Sequence, residues 1–271
     1  MKQMKLKALI KQLLFGLLSA TKGYSDLRVL TGPAKGVKLR LDIRKEGSYW
    51  IGNYDQWVFD AVPLGQFIKP GATAWDCGAY VGYYTAIFRK IVGNEGKVVG
   101  FEGSNDNFNR VRFLPEINKW TNVQILPLAV GPENTLLSFV NNIGGSNGPY
   151  DLDKQYKEPQ NELQIEKVQC CGVDELIYSK GVPAPSFIKF DLESAEVYAL
   201  HNGDRCFTII RPFVLLELHG EKARDAAGAF IEKYNYNAFL LHDVKGRKNA
   251  ISTSLQLRSQ VIPHQIMCIP I

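Results

Sequence analysis

Apolar and polar positions alternate along this chain in blocks that predict strands and helices in turn. From residue 73 onward, short apolar runs such as TAWDCG, KVVGFE and NVQILPLAVG are separated by segments with apolar residues at helical spacing, such as YYTAIFRKIVG. Apolar runs of this length between turn residues are typical of buried strands. The βαβαβ order therefore predicts an α/β fold with a parallel, doubly wound sheet and right-handed crossovers.

The sequence pattern also predicts elements before and after this central region. Residues 38–43 alternate as a half-buried strand does, so we expect a small β-rich segment before the sheet. Residues 60–71 predict one helix that ends at Pro70-Gly71, and residues 141–161 predict a long polar loop within a β-hairpin. SFIKFDLE, FVLLELHG, NAFLLHDV and HQIMCIPI predict the later strands, while VDELIYSKG, AEVYALHNG and KARDAAGAFIEKYN predict the helices between them.

Residues 1–20 combine lysines with leucines at helical spacing, which predicts an amphipathic helix. Its apolar stretch is shorter than the ~20 residues that span a bilayer. Three interpretations remain open: a helix packed on the domain, a basic helix lying on an anionic membrane surface, and a cleaved signal peptide. We divide the chain into this helix with the β-rich segment, residues 1–50, and a main domain, residues 51–271.

Composition narrows the function classes. The chain has 271 residues, 45% of them hydrophobic, and a net charge of +5 from 32 basic and 27 acidic residues. The basic residues form no stripe interleaved with aromatics, so we expect no nucleic acid partner. The five cysteines form no C-x-x-C pair, which argues against a disulfide framework and structural zinc. We expect a cytoplasmic protein, with peripheral membrane contact left open.

The stretch WDCGAYVG places Asp76, Gly78 and Gly82 between a predicted strand and a predicted helix. Glycines at such a turn let the backbone approach a ligand closely. A dinucleotide site would have glycine at position 76, because an acid there repels a pyrophosphate. An acid attracts an ammonium or a sulfonium group instead, and S-adenosylmethionine carries both.

Glu102 ends the next predicted strand, where an acid can accept hydrogen bonds from both ribose hydroxyls of a nucleoside. Gly103 and Ser104 lie beside it and are candidates for contact with the adenosine. We expect Ala129 to end the third strand, where a small side chain leaves room for adenine. Tyr80 is a candidate wall of the same pocket, although aromatic residues with this spacing more often belong to the core.

From about residue 51 to 220, the chain resembles the FkbM-type S-adenosylmethionine-dependent methyltransferases. The stretches that carry the resemblance are GNYD, FIKPGATAWDCGAYVGYYT, VVGFEGSNDNFN, LAVG, GGS, VDEL, FIKFDLESAE and FVLLELHG, in the family's order. Ser194 stands where that family usually has glycine, Gly103 where it has proline, and Asp55 where it tends to have glutamate. The resemblance implies a class I methyltransferase fold, with a Rossmann-like seven-stranded sheet whose last strand is antiparallel. It also implies methyl transfer to a hydroxyl of a sugar or polyketide.

The stretch FIKFDLESAE crowds three carboxylates at the end of a strand. Asp191 is our main candidate for contact with the methionine part of the cofactor or with the acceptor hydroxyl, followed by Glu193. We interpret Glu196 as a helix start. His219 ends the next strand near the same crevice and is a candidate general base. Mg²⁺ held by Asp191 with Glu193 or Glu217 is an alternative, but we assign no metal.

These observations lead to one expected activity and two alternatives. We expect an S-adenosylmethionine-dependent O-methyltransferase that modifies a sugar, a glycan or a secondary metabolite. The alternatives are an NAD(P)-binding oxidoreductase and a non-catalytic nucleoside-binding module of the same fold. The catalytic candidates are Asp191, His219 and Glu193. The candidates for cofactor binding are Asp76, Gly78, Ala79, Tyr80, Gly82, Glu102, Gly103, Ser104, Ala129 and Asp191.

Overall fold

The computed structural model describes residues 23–141, 148–149, 164–260 and 265–271. The predicted N-terminal helix, most of the predicted loop at 141–161 and His264 lie outside these ranges. Within them, no helix combines the length and the apolar character that a membrane span requires.

The described strands run from the N-terminal hairpin to the C-terminus. In chain order they are β1 (Ser25–Arg28), β2 (Lys38–Leu41), β3 (Thr73–Cys77), β4 (Lys97–Phe101), β5 (Val123–Leu126), β6 (Ala129–Val130), β7 (Thr135–Asn141), β8 (Gly148–Pro149), β9 (Gln164–Cys171), β10 (Phe187–Phe190), β11 (Phe213–Glu217), β12 (Tyr236–Leu240) and β13 (Gln265–Pro270).

The described α-helices connect these strands. In chain order they are α1 (Ile43–Ile51), α2 (Gln56–Ala61), α3 (Leu64–Phe67), α4 (Tyr83–Val92), α5 (Asn105–Val111), α6 (Leu114–Asn118), α7 (Val173–Tyr178), α8 (Glu196–His201), α9 (Glu221–Tyr234) and α10 (Ser254–Arg258). A short π-helix at Cys206–Ile210 and a 3₁₀ turn at Leu241–Asp243 complete the described helical segments.

Seven strands form the central sheet in the order β12-β13-β11-β10-β3-β4-β5. The pairs from β11 through β10, β3 and β4 to β5 are parallel, and β13 runs antiparallel to both of its neighbours. The predicted α/β fold with seven strands and an antiparallel last strand is confirmed. Consecutive residues of a strand, such as Phe187 and Ile188, belong to separate apolar clusters, as expected for a sheet covered by helices on both faces.

The predicted β-hairpin around residues 141–161 is confirmed, because β7 pairs antiparallel with β9. The two strands belong to a second sheet with the order β6-β9-β7-β8, whose other strands were not predicted. The run NVQILPLAVG is not one strand, because β5 ends at Leu126 and Ala129 pairs with Cys170 in β6. Pro127 lies at the break and has no N–H to continue the ladder of β5. The prediction that Ala129 ends the third strand of the main sheet is therefore wrong.

Two further predictions need correction near the N-terminus. Residues 60–71 do not form a single helix: α2 ends at Ala61 and α3 begins at Leu64, because Pro63 disfavours helical backbone at the residue before it. The hairpin of β1 and β2 agrees with the expected β-rich segment. Helix α1 was not predicted, and it spans residue 50, where we placed the boundary between the two parts of the chain. That boundary stays a prediction.

Candidate active site

The carboxyl ends of β3, β4 and β10 border a cleft of about 1000 Å³, a volume that includes the part open to solvent. Open α/β sheets bind ligands at this end of the strands. Eight of the ten predicted cofactor residues line this cleft: Asp76, Gly78, Ala79, Tyr80, Glu102, Gly103, Ala129 and Asp191. Gly82 and Ser104 do not line it. Of the catalytic candidates, Asp191 and Glu193 line it directly, and His219 lies against both of them.

Glycine is required at two positions of the turn after β3. Gly78 has φ +92°, and a Cβ there would lie 1.9 Å from the backbone oxygen of Asp191. Gly82 has φ +80°, and a Cβ there would lie 2.4 Å from the side chain of Leu114. Gly78 therefore brings the turn against the end of β10, whereas Gly82 serves the packing of α4 on α6.

Asp76 is a buried carboxylate with one unused oxygen. Its Oδ2 accepts a hydrogen bond from Thr85 Oγ1 at 2.5 Å, while its Oδ1 has no partner among the described residues. Burial raises the pKa of Asp76 to about 6. A buried acceptor without a donor is costly, so this oxygen suits the ammonium group of a ligand in the cleft.

Glu102 is held by the backbone on both sides. Its Oε2 accepts a hydrogen bond from Tyr80 N at 2.8 Å, and its Oε1 accepts one from Ser104 N at 2.9 Å. Burial nevertheless raises the pKa of Glu102 to about 7. Ser104 contributes through its backbone and is fully buried. The residue beside it, Gly103, lines the cleft.

The small second sheet forms one wall of the cleft. Ala129 from β6 and Phe139 from β7 both line it, beside Gly103. A Cβ at Gly103 would lie 3.1 Å from Phe139 and 3.2 Å from Ala129. Ala129 thus lines the cleft, although it arrives there from a different sheet than predicted, and its contact with adenine stays a prediction.

Lys189 is a buried cation that we did not predict. It lies opposite Asp76 in the parallel register of β10 and β3, and its Nζ is 2.7 Å from Asp191 Oδ2. Burial alone would lower the pKa of Lys189, but the charges of Asp191 and Asp76 outweigh it and raise that pKa. The sequence did contain a sign of this ion pair, namely a lysine within the apolar run FIKF. A lysine in a buried strand indicates an acidic partner nearby, because lysine is rarely buried without one.

His219 is surrounded by carboxylates. Its Nδ1 lies 2.8 Å from Glu196 Oε1, and its Nε2 lies 3.9 Å from Asp191 Oδ1 and Glu193 Oε2 and 3.8 Å from Glu217 Oε1. Burial would lower the pKa of His219. The hydrogen bond and charge of Glu196, with the other acids, outweigh burial and raise that pKa to about 9.

The ligand-free imidazole therefore carries a proton at neutral pH and cannot accept another. This protonation state does not support the predicted role of His219 as general base. Glu196 also does more than begin α8, because it is fully buried and contacts both His219 Nδ1 and Leu192 N. Its interpretation as the start of a helix is confirmed, since α8 begins at Glu196.

The turn between β10 and α8 has an unusual backbone. Glu193 has φ +50° and Ser194 has φ +88°, both in the left-handed region. Glycine adopts that region without a steric cost, whereas the side chain of serine makes it unfavourable. The family that the sequence resembles usually has glycine at this position. With Ser194 there, this chain keeps the turn at some cost in backbone strain.

Residues before β3 complete the cleft. The rings of Tyr49 and Tyr54 stack with centroids 4.0 Å apart, and both line the cleft. Asp55 accepts a hydrogen bond from the Tyr84 hydroxyl at 2.9 Å, and burial raises the pKa of Asp55. The stretch GNYD was noted only as part of the resemblance, and its position against the sheet is decided by tertiary packing.

Glu46 joins α1 to α5 through a buried ion pair and to the glycine turn through a hydrogen bond. Glu46 Oε1 accepts hydrogen bonds from Arg110 Nη1 at 2.5 Å and from the Tyr80 hydroxyl at 2.7 Å. Glu46 Oε2 accepts one from Asp42 N at 2.8 Å. Since Tyr80 N also binds Glu102, this network connects the N-terminal segment to the candidate nucleoside site.

The Asp76→Asn variant is expected to bind S-adenosylmethionine about 10–100-fold more weakly, because a charge-assisted hydrogen bond is lost. We expect its ligand-free stability at neutral pH not to fall. The folded-state pKa of Asp76, about 6, exceeds its usual value of 3.8, so its stabilising contribution is present at low pH and is lost as pH rises through about 6. Above that pH, the buried charge costs up to about 3 kcal/mol.

Calorimetric affinity at neutral pH and thermal unfolding between about pH 4 and pH 7 measure the two effects. The exposed Asp225→Asn variant is the control, and its pH dependence should match that of the wild type. An Asp76→Asn protein with wild-type affinity and an unchanged pH dependence of stability would contradict the assignment.

One protein-family profile matches more than half of the chain. The profile of the methyltransferase FkbM domain matches residues 76–241 of the chain. That match contains the glycine turn, Glu102, the acidic cluster and His219. None of the curated proteins matches the sequence.

Solved structures that resemble the chain at low identity include the following three. An FkbM methyltransferase from Methylobacillus flagellatus KT is 12% identical, with a TM-score of 0.46, and the match covers 97% of this chain and 60% of that one. A SAM-dependent O-methyltransferase from Thermotoga maritima is 11% identical, with a TM-score of 0.41 and coverage of 79% and 65%. Aeropyrum pernix fibrillarin with bound S-adenosyl-L-methionine is 10% identical, with a TM-score of 0.42 and coverage of 78% and 72%.

The first of these structures is longer, and the chain spans 60% of its length. The family assignment comes from the domain profile, which covers more than half of the chain. From that match, the chain belongs to the FkbM family of S-adenosylmethionine-dependent methyltransferases.

Proposed function

We propose that this protein is an O-methyltransferase that transfers a methyl group from S-adenosylmethionine to a hydroxyl of a sugar, a glycan or a secondary metabolite. The observation that carries the proposal is the pair of buried carboxylates, Asp76 and Glu102, on either side of the glycine turn. Asp76 offers an ammonium an oxygen that has no partner within the described part of the chain, and Glu102 has acceptor capacity left for ribose hydroxyls.

The two alternatives fit these residues less well. A dinucleotide would bring a pyrophosphate to the turn, where Asp76 would repel it. A binding module without activity would not need Asp191 and Glu193 at the open side of the cleft. The oxidoreductase differs from the proposal in its ligand, NAD(P). The binding module differs from it because it forms no methylated product.

The protein's part in the reaction is binding, orientation and proton handling. S-adenosylmethionine supplies the methyl group and a sulfonium that leaves as a neutral thioether. Asp76 and Glu102 would hold the methionine and ribose ends, while Ala129 and Phe139 would line the adenine side. Fixing both reactants in one cleft removes much of the entropic barrier to an in-line displacement.

The acceptor would lie on the side of Asp191, Glu193 and His219. As the acceptor oxygen bonds to the methyl carbon, its proton must go to a nearby base. Asp191 Oδ1 and Glu193 Oε2 are carboxylate oxygens on that side, and His219, already protonated, stabilises their charge. Tyr49 and Tyr54 would provide a flat wall for the face of a sugar ring.

Glu102→Ala is expected to weaken S-adenosylmethionine binding by about 100-fold or more, because hydrogen bonds to a charged acceptor contribute about 1.5–3 kcal/mol each. A thermal shift with S-adenosylhomocysteine against NAD tests the cofactor, since a bound ligand raises apparent stability by a few kcal/mol at high saturation. We expect a shift with the nucleoside and none with NAD.

The matched control is Asp106→Ala, an acid in the first turn of α5 that should leave the affinity unchanged. A folded Glu102→Ala protein with wild-type affinity would remove Glu102 from the site. A shift with NAD alone would overturn the proposal. Mass spectrometry of sugars and glycans incubated with S-adenosylmethionine then identifies the acceptor through the gain of a methyl group.

A further inference from the structure

The carboxyl ends of β10 and β11 bring a histidine and two acids together. One ligand atom each from Asp191, Glu217 and His219 lies within 4.8 Å of the others. The two carboxylates are anchored from behind: Asp191 Oδ2 by Lys189 at 2.7 Å and Glu217 Oε2 by Gln265 at 2.8 Å. In each case the other oxygen faces the imidazole.

The spacing around His219 Nε2 is too wide for hydrogen bonds. Asp191 Oδ1 lies 3.9 Å away and Glu217 Oε1 3.8 Å away, whereas a charge-assisted hydrogen bond would draw them to about 2.7–2.9 Å. A divalent cation about 2.1 Å from each donor holds its ligand atoms between about 3 and 4 Å apart. The gap therefore matches the size of a metal ion.

A separate observation concerns the other side of the ring. Glu196 is fully buried, its Oε2 has no partner among the described residues, and its Oε1 lies 2.8 Å from His219 Nδ1. A carboxylate on the second ring nitrogen orients a metal-binding histidine and raises its basicity. This contact directs Nε2 toward Asp191 and Glu217.

The charges around His219 also favour a bound cation. Asp191, Glu193, Glu196 and Glu217 lie around His219, and Lys189 is the basic side chain bound to this group. An excess of carboxylates around one position favours a divalent cation there.

We propose that Asp191 Oδ1, Glu217 Oε1 and His219 Nε2 bind a divalent cation that holds the acceptor hydroxyl. The role toward the acceptor rests on the function proposed above, but binding of the ion does not. A mixed set of two carboxylates and one imidazole suits Mg²⁺, Mn²⁺ or Fe²⁺ with positions left for other oxygen ligands. A hydroxyl on such an ion is more acidic, so Glu193, which lies beside the ligand set, can accept its proton.

The test uses Mn²⁺ as the probe, with its electron paramagnetic resonance signal read during titration of the full chain after treatment with EDTA. We expect the wild type to bind one Mn²⁺ and Glu217→Gln and His219→Gln to bind it at least about 10-fold more weakly. Glu196→Gln should lose about 10–100-fold through the orientation of His219. Glu221→Gln, an exposed acid at the start of α9, is the matched control and should bind as the wild type does.

Circular dichroism and S-adenosylhomocysteine affinity show that each variant is folded. Failure of the wild type to bind Mn²⁺ at millimolar concentration while it binds S-adenosylhomocysteine would overturn this proposal and leave the proposed function standing. Equal Mn²⁺ affinity in the wild type, Glu217→Gln and His219→Gln would also overturn it. Loss of S-adenosylhomocysteine binding in the wild type would instead count against the proposed function.

Discussion

Asp191→Asn is expected to lower turnover by about 10²–10⁴-fold, the range that loss of a positioned proton acceptor produces. Asp191 lines the cleft at the end of β10, and its Oδ1 faces His219. An amide at this position has nearly the same shape but accepts no proton. The variant therefore removes the chemistry and keeps most of the geometry.

The control for this experiment is based on Lys189, the ion-pair partner of Asp191. Lys189 is buried, with its side chain 2% exposed, and loses a charged partner in the variant. The amide oxygen still accepts its hydrogen bond, so we expect a loss of about 1–3 kcal/mol in the free energy of unfolding. The double variant Lys189→Met, Asp191→Asn removes both charges and should regain stability without regaining activity.

Single-turnover rates and thermal unfolding separate the two effects. A folded Asp191→Asn protein with wild-type turnover would place the catalytic groups elsewhere. Restored activity in the double variant would show that Asp191 acts only by neutralising Lys189.

Glu46→Ala should lower the free energy of unfolding by about 3–5 kcal/mol, because removal of one partner leaves the other as a buried, uncompensated charge. Both side chains of the Glu46–Arg110 pair are at most 5% exposed. Glu46 also accepts hydrogen bonds from the Tyr80 hydroxyl and from Asp42 N, and these donors lose their partner too. Cofactor affinity should fall as well, because Tyr80 N helps to hold Glu102.

Asp26→Ala provides the matched control. Asp26 and Arg40 form a pair of similar length on the hairpin, but their side chains are 34% and 29% exposed. Exposed pairs contribute about 0–1 kcal/mol, so this variant should unfold close to the wild type. Chemical denaturation of both variants gives the comparison. Similar losses in the two would mean that burial of the Glu46–Arg110 pair has no special effect on stability.

Much of the fold follows from local sequence pattern. The order of strands and helices from β3 onward was predictable because the periodicity of apolar residues records which face of each element is buried. The acids Asp76, Glu102 and Asp191 were predictable as a group because the carboxyl ends of parallel strands meet at one edge of the sheet. The split at Pro127 was missed because the apolar run continues through it.

Other parts of the site depend on residues that are distant in sequence. Lys189 faces Asp76 through the register of two strands, and Glu46 meets Arg110 64 residues further along the chain. Neither contact can be recognised from the periodicity of the sequence, because each partner alone is an ordinary charged residue. The wall that Ala129 and Phe139 provide likewise requires the second sheet.

The sequence by itself determined the family, the sheet and the strand ends at which the acids lie, since these are encoded in local runs of residue types. Only the tertiary structure decided the chemical state of those groups. The pKa of His219 rises because carboxylates from the start of α8 and from the turn after β10 converge on it, and the pKa of Asp76 and Glu102 rises because neighbouring elements exclude water. Desolvation and electric field are properties of all the atoms around a group, and no stretch of sequence contains them.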